Sequence, residues 1–205
     1  MKNKKVGIMG GTFDPIHTGH LVVANEVLNF YELEEIIFIP TGNPPHKKGT
    51  VADSFDRYVM TEMAVLSNNR FKVSDIEIKK NGKSYTLNTL MELTKKYPDA
   101  EFYFITGTDA VIELPSWREP EELLKLCRFV AVSRPGISME DAKAKISEIN
   151  KMYNSNIELF QAPMLQISST DIRQRFMDGK SAKYLLPESV EQYIIKNNLY
   201  GSNDL

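Results

Sequence analysis

One cysteine, one tryptophan and three histidines in 205 residues leave few of the side chains on which chemistry usually depends, and each scarcity excludes something. Cys127 stands alone, so no internal disulfide framework exists and a reducing compartment suits the chain. An excess of one charge is also missing. With 25 Lys and Arg against 27 Asp and Glu the net charge is −2, which gives no basic face for nucleic acid. Long apolar runs are absent too. Lys2, Lys4 and Lys5 precede Val6-Gly7-Ile8-Met9, but that run is too short for a signal-peptide core, and no later stretch approaches a membrane span. Apolar residues at 42% and charged ones at 25% are globular values. The expectation is one cytoplasmic domain over residues 1–205, with neither nucleic acid nor membrane as partner.

What is present is a regular alternation of apolar runs and amphipathic stretches. Strands are expected at Val6–Met9, Glu35–Ile39, Phe71–Ile78, Glu101–Thr106, Arg128–Ser133 and Ile157–Gln161. Helices are expected over Gly19–Tyr31, about 53–67 (buried through Tyr58, Val59, Met63 and Leu66), Leu87–Tyr97, Pro120–Cys127, Ser138–Met152, up to Met177, and Pro187–Asn197. Strands separated by helices argue for an α/β doubly wound parallel sheet, with the segment from about residue 168 onward as a small C-terminal helical cap. Ligands of such sheets bind beyond the carboxyl ends of the strands, so the loops there are expected to converge on one cleft.

The first of those loops is Gly10-Gly11-Thr12-Phe13-Asp14-Pro15-Ile16-His17-Thr18-Gly19-His20, a glycine turn between a strand and a helix. Backbone N–H groups and the positive end of a helix dipole favour an anion there, most naturally phosphate. His17 and His20, at i and i+3, project from one face of the first helical turn. The bland alternative is a pair of capping histidines. A metal site is a weaker competitor, because His-x-x-His supplies two ligands and no nearby run offers a third. The turn is not Gly-x-Gly-x-x-Gly, so a dinucleotide dehydrogenase loses its fingerprint.

Later loops carry the other unusual residues. Ile167-Ser168-Ser169-Thr170-Asp171-Ile172-Arg173 opens a helix with hydroxyls and an arginine one turn on, readable as a phosphate clamp or as an N-cap with a solvated arginine. His46 and Lys47 lie on a loop stiffened by Pro44 and Pro45, as a phosphate contact or a solvated pair. Thr86 precedes a helix whose first N–H groups suit a carboxylate. Trp117, between a proline and charged residues, suits stacking on a ring or a half-buried surface position. Asp109 reads as a ribose acceptor or a helix cap.

The first loop, Gly11 to His20, resembles the phosphate-binding signature of the nucleotidyltransferase superfamily with the His-x-Gly-His motif, and Ile167 to Arg173 resembles its second signature. Asn43-Pro44-Pro45-His46-Lys47, Ser84-Tyr85-Thr86, Gly107-Thr108-Asp109, Trp117, Ser133-Arg134-Pro135-Gly136 and Tyr184-Leu185-Leu186-Pro187 are similar to the bacterial nicotinate-nucleotide adenylyltransferases within it. The resemblance implies a Rossmann-like nucleotidyltransferase fold and transfer of the ATP adenylyl group to nicotinate mononucleotide. Nicotinamide mononucleotide and phosphopantetheine are the alternative acceptors, and a non-catalytic nucleotide-binding module is the rival from another class. It implies catalytic roles for His17, His20 and Arg173, and ATP contacts from Gly10, Gly11, Thr12, Phe13, Arg134, Ile167, Ser168, Ser169 and Thr170. The mononucleotide would meet Thr12, Phe13, His46, Lys47, Ser84, Tyr85, Thr86, Gly107, Asp109 and Trp117. Arg118, counted with them, departs from the family, where an aromatic residue is usual, and reads either as added attraction for the carboxylate or as a side chain that points away. Magnesium is expected on the ATP phosphates with no protein ligand set, and a homodimer or larger homo-oligomer is implied.

Overall fold

The computed structural model describes residues 4–43, 52–80, 82–133, 138–163 and 165–201. Strands β1 (Lys4–Gly11), β2 (Glu35–Pro40), β3 (Phe71–Val73), β4 (Ala100–Gly107), β5 (Arg128–Val132) and β6 (Glu158–Phe160) form one sheet in the order β3-β2-β1-β4-β5-β6. The pairs β1–β4, β4–β5 and β5–β6 are parallel, with Val6 opposite Phe102, Phe104 opposite Phe129 and Val132 opposite Phe160. Helices α1 (Thr18–Phe30), α2 (Ser54–Val65), α3 (Thr86–Lys96), α4 (Thr108–Ile112), α5 (Pro120–Leu126), α6 (Met139–Tyr153), α7 (Ser169–Met177) and α8 (Glu188–Lys196) fill the connections. The α/β doubly wound expectation is met, and helices follow the last strand. The strand order reverses direction at β1 and β4; β1 runs into the glycine-histidine turn and β4 into Gly107-Thr108-Asp109.

The chain divides into two compact units, one of Met1–Gly10, Val23–Ile37 and Tyr85–Met164, the other of Gly11–Val22, Phe38–Ser84 and Leu165–Leu205. In the first, continuous apolar strands bury Val6, Ile8, Phe102, Phe104, Phe129 and Val130, each contributing about 1.5–3 kcal/mol of transfer free energy. Helix α6 turns Ala142, Ile146 and Ile149 inward, and Ser138 caps it by accepting from Asp141 N. In the second, α2 and α8 are tied by Tyr193 Oη donating to Asp56 Oδ1 at 2.8 Å and Ser189 Oγ donating to Met63 O at 3.3 Å.

Two expectations fail, both in the second unit. Helix α2 buries Arg57, Met60, Thr61, Ala64 and Val65, not Tyr58, Val59, Met63 and Leu66; Leu66 is 77% exposed. The helix is rotated because the Arg57 guanidinium goes inward, donating to Thr12 O at 2.6 Å and to Gly42 O at 3.2 Å. A helical wheel that puts every charge outside misses such a face. Strand β3 ends at Val73 instead of Ile78, and residues 76–79 turn, with Lys79 N donating to Asp75 O at 3.0 Å. That turn presses the Glu77 carbonyl onto Gly42, where any Cβ would collide with it. Alternation at period two was imitated by a turn.

Candidate active site

The turn after β1 is built around two rings. His17 is buried and His20 half-buried, and their imidazoles stack with centroids 3.7 Å apart and planes 25° apart. The i, i+3 spacing therefore does place both on one face. The backbone N–H of His17 donates to His20 Nδ1 at 3.2 Å, which puts the proton of the neutral His20 ring on Nε2 and makes that nitrogen a donor. Phe13 sets the other side, its ring edge-on to His20 at 5.1 Å. Phe13 adopts φ 48°, and its ring lies so close to Gly11 that a Cβ there would meet it at 2.7 Å. At Gly19 a Cβ would sit 3.1 Å from the His17 ring, so the glycine between the histidines is what lets them stack. The first turn of α1 holds no acidic residue to offset the dipole.

The second signature reaches this turn. Ser169 Oγ donates to Pro15 O at 2.9 Å, and Arg173 Nη1 donates to Asp14 O at 2.7 Å. Arg173 is half-buried, with Nη2 donating to Thr170 Oγ1 at 3.3 Å. Ser168 is exposed and caps α7, its Oγ accepting from Asp171 N at 3.1 Å. Both serine hydroxyls thus have structural partners, Ser168 in the N-cap role that the sequence offered as one of two readings; an anion here would meet backbone N–H groups and Arg173. Ile167 is half-buried and follows Gln166 toward the cap.

The first unit carries a separate cluster. Tyr85 occupies the N-cap of α3 without a side-chain bond to it, and Thr86 is the first helical residue. The Arg118 guanidinium lies over the Tyr85 ring at 5.2 Å and also contacts Glu119 at 3.3 Å. Trp117 is half-buried, its ring perpendicular to that of Phe104 with centroids 6.4 Å apart. Gly107, not Asp109, is the N-cap of α4, and Asp109 is exposed in that helix's first turn. Ser84, in the second unit, is a buried brace, accepting from Asn43 N at 3.3 Å and donating its own N–H to Asn43 O at 2.9 Å. His46, Lys47 and Arg134 lie outside the described residues.

Three residues the sequence did not single out support the turn. Arg57 is one, through its bond to Thr12 O. Asp14 accepts at Oδ1 from Ala52 N at 3.2 Å and from Tyr200 Oη at 2.7 Å. Burial first, and the bond to Asp14 second, hold the Tyr200 phenol well above its ordinary pKa, so it is a neutral donor. No periodicity or spacing marks a tyrosine this far along the chain.

The chain matches the family model described as cytidylyltransferase-like over residues 8–175. Two proteins named "Probable nicotinate-nucleotide adenylyltransferase" align along nearly the whole chain. That of Thermoanaerobacter sp. (strain X514) is 49% identical, over 98% of this chain and 96% of its own. That of Desulfitobacterium hafniense (strain Y51) is 50% identical, over 96% of each. Among solved structures, the Plasmodium falciparum nicotinic acid mononucleotide adenylyltransferase complexed with NaAD shares the fold at a TM-score of 0.78, with 24% identity over 98% of both chains.

Proposed function

The chain belongs to the cytidylyltransferase-like family, and on that premise we propose that it transfers the adenylyl group of ATP to nicotinate mononucleotide, giving nicotinate adenine dinucleotide and pyrophosphate. The observation that carries the reading is the stacked His17–His20 pair with Arg173 bonded into the same turn. Imidazole and guanidinium groups gathered at a helix start suit phosphate oxygens.

The acceptor's phosphate oxygen attacks the α-phosphorus of ATP while the bond to the β-phosphate oxygen breaks. With a second pKa of about 6, that phosphate is already largely ionised at neutral pH, so no general base is required. The protein's part is alignment and neutralisation of charge on departing pyrophosphate. His17 and His20 take the ATP phosphates, with Arg173 and the α7 N-terminus on the leaving side. Trp117, Tyr85, Thr86 and Arg118 take the pyridine ring and its carboxylate, Asp109 the ribose, and Lys47 the mononucleotide phosphate. Magnesium would be held mainly by the ATP phosphates and water, where it would help neutralise the charge on the departing pyrophosphate.

Pyrophosphate release with ATP and a panel of acceptors tests this. Nicotinate mononucleotide is expected to support turnover well above nicotinamide mononucleotide or phosphopantetheine; equal or faster release with either of the others would overturn the assignment. Within it, Trp117→Ala is expected to raise the KM for the mononucleotide about tenfold, the worth of one aromatic stacking contact, and to leave that for ATP nearly unchanged. Equal rises in both constants would refute stacking.

A further inference from the structure

Asp14 is the junction between the phosphate turn and α7. Its carbonyl receives Arg173 Nη1 at 2.7 Å, and its carboxylate receives Tyr200 Oη at 2.7 Å. The Tyr200 ring also lies against Phe176, one turn beyond Arg173 on α7, with centroids 6.4 Å apart. One buried side chain from the end of the described chain therefore touches both the turn and the helix that carries the arginine. The same C-terminal stretch holds the start of α1, where Thr18 N donates to Leu185 O at 2.9 Å and Thr18 Oγ1 to Tyr184 O at 3.3 Å. Tyr200 (φ 58°) and Phe13 (φ 48°) both adopt left-handed backbone, which non-glycine residues keep only where their surroundings hold them.

We propose that Tyr200 is a positioning residue: its hydroxyl, donated to Asp14, sets where the stacked histidines stand relative to Arg173. This rests on the adenylyl-transfer reading for its effect on rate. Tyr200 touches neither nucleotide; it acts through Asp14, and misplacement by a fraction of an ångström at the phosphate site is costly in an aligned displacement.

The test is Tyr200→Phe, which removes one oxygen and keeps the ring against Phe176. Turnover is expected to fall about tenfold with both KM values within roughly twofold of the parent. Tyr193→Phe, which breaks a tyrosine–aspartate bond in the same segment away from the turn, is the control and should leave kcat unchanged. A second readout needs no substrate. With three histidines in the chain, the imidazole Cε1–H signals are resolvable by proton NMR, and those of His17 and His20 should move in Tyr200→Phe. Asp14→Ala, which removes the acceptor instead, should move the same two signals. A Tyr200→Phe protein that melts lower but keeps its kcat and its histidine signals would overturn the proposal. A parent enzyme that releases no pyrophosphate would instead defeat the adenylyl-transfer reading, while the histidine signals still report on the Tyr200–Asp14 bond.

Discussion

His20→Ala is expected to lower kcat by about 10²-fold or more, while the KM for ATP changes by no more than roughly threefold. The asymmetry follows from where the ring sits. His20 Nδ1 is occupied by the His17 backbone N–H, so Nε2 is the nitrogen that carries a proton in the neutral ring. On the proposed adenylyl transfer, a donor held in place by stacking on His17 and by the perpendicular Phe13 ring needs no reorganisation as negative charge grows on the departing pyrophosphate. It gains strength as that charge develops, and such an interaction appears in kcat rather than in ground-state binding. His20 is half-buried, so its truncation leaves the core intact and the loss is read on folded protein. Steady-state kinetics with saturating mononucleotide decide the matter. Unchanged turnover would remove His20 from the reaction, and a large rise in the ATP KM at constant kcat would make it a binding group only.

The legible parts of this protein are those governed by local pattern. The buried strands read directly because parallel strands covered on both faces are apolar throughout, as in Phe102–Ile105 and Phe129–Val132. The site's two signatures were legible for a related reason. A glycine that admits a ring, a histidine pair at i and i+3 and a serine at an N-cap each leave a short-range trace. What escaped was non-local. Arg57 occupies a core position because its guanidinium finds carbonyls at Thr12 and Gly42, on segments that no helical wheel of α2 contains. Tyr200 and Asp14 meet across nearly the whole chain. The false extension of β3 has the opposite cause: period-two alternation at Ser74–Ile78 is produced equally well by a turn around Gly42, and the pattern holds no information to separate them.

Arg57→Ala is expected to destabilise the fold by about 3 kcal/mol, more than any surface substitution, because it empties a buried position and strands two part-buried acceptors at once. The side chain is 1% exposed. Burial lowers the guanidinium pKa from its ordinary value, and the neighbouring Asp14 carboxylate is the foremost of the charges acting in the opposite sense. The cost of keeping a cation there is offset by the bonds it makes: Nη1 to Thr12 O at 2.6 Å and Nη2 to Gly42 O at 3.2 Å. These two carbonyls belong to neighbouring segments of the second unit, since Thr41 N donates to Gly11 O at 2.8 Å. One planar fork thus joins the turn after β1 to the segment after β2. Truncation leaves both carbonyls without the guanidinium, opens a cavity, and removes one positive charge that interacts with Asp14. At this chain length each kcal/mol lowers Tm by about 2–4 °C, so a fall of about 10 °C is expected by circular dichroism. Arg57→Lys is the sharper variant. An ammonium keeps the charge but lacks the two-pronged geometry, so it reaches one carbonyl and should recover less than about half of the loss. Full recovery by lysine would mean that charge alone matters at this position, and an alanine variant within about 1 kcal/mol of the parent would mean that water replaces the fork at little cost.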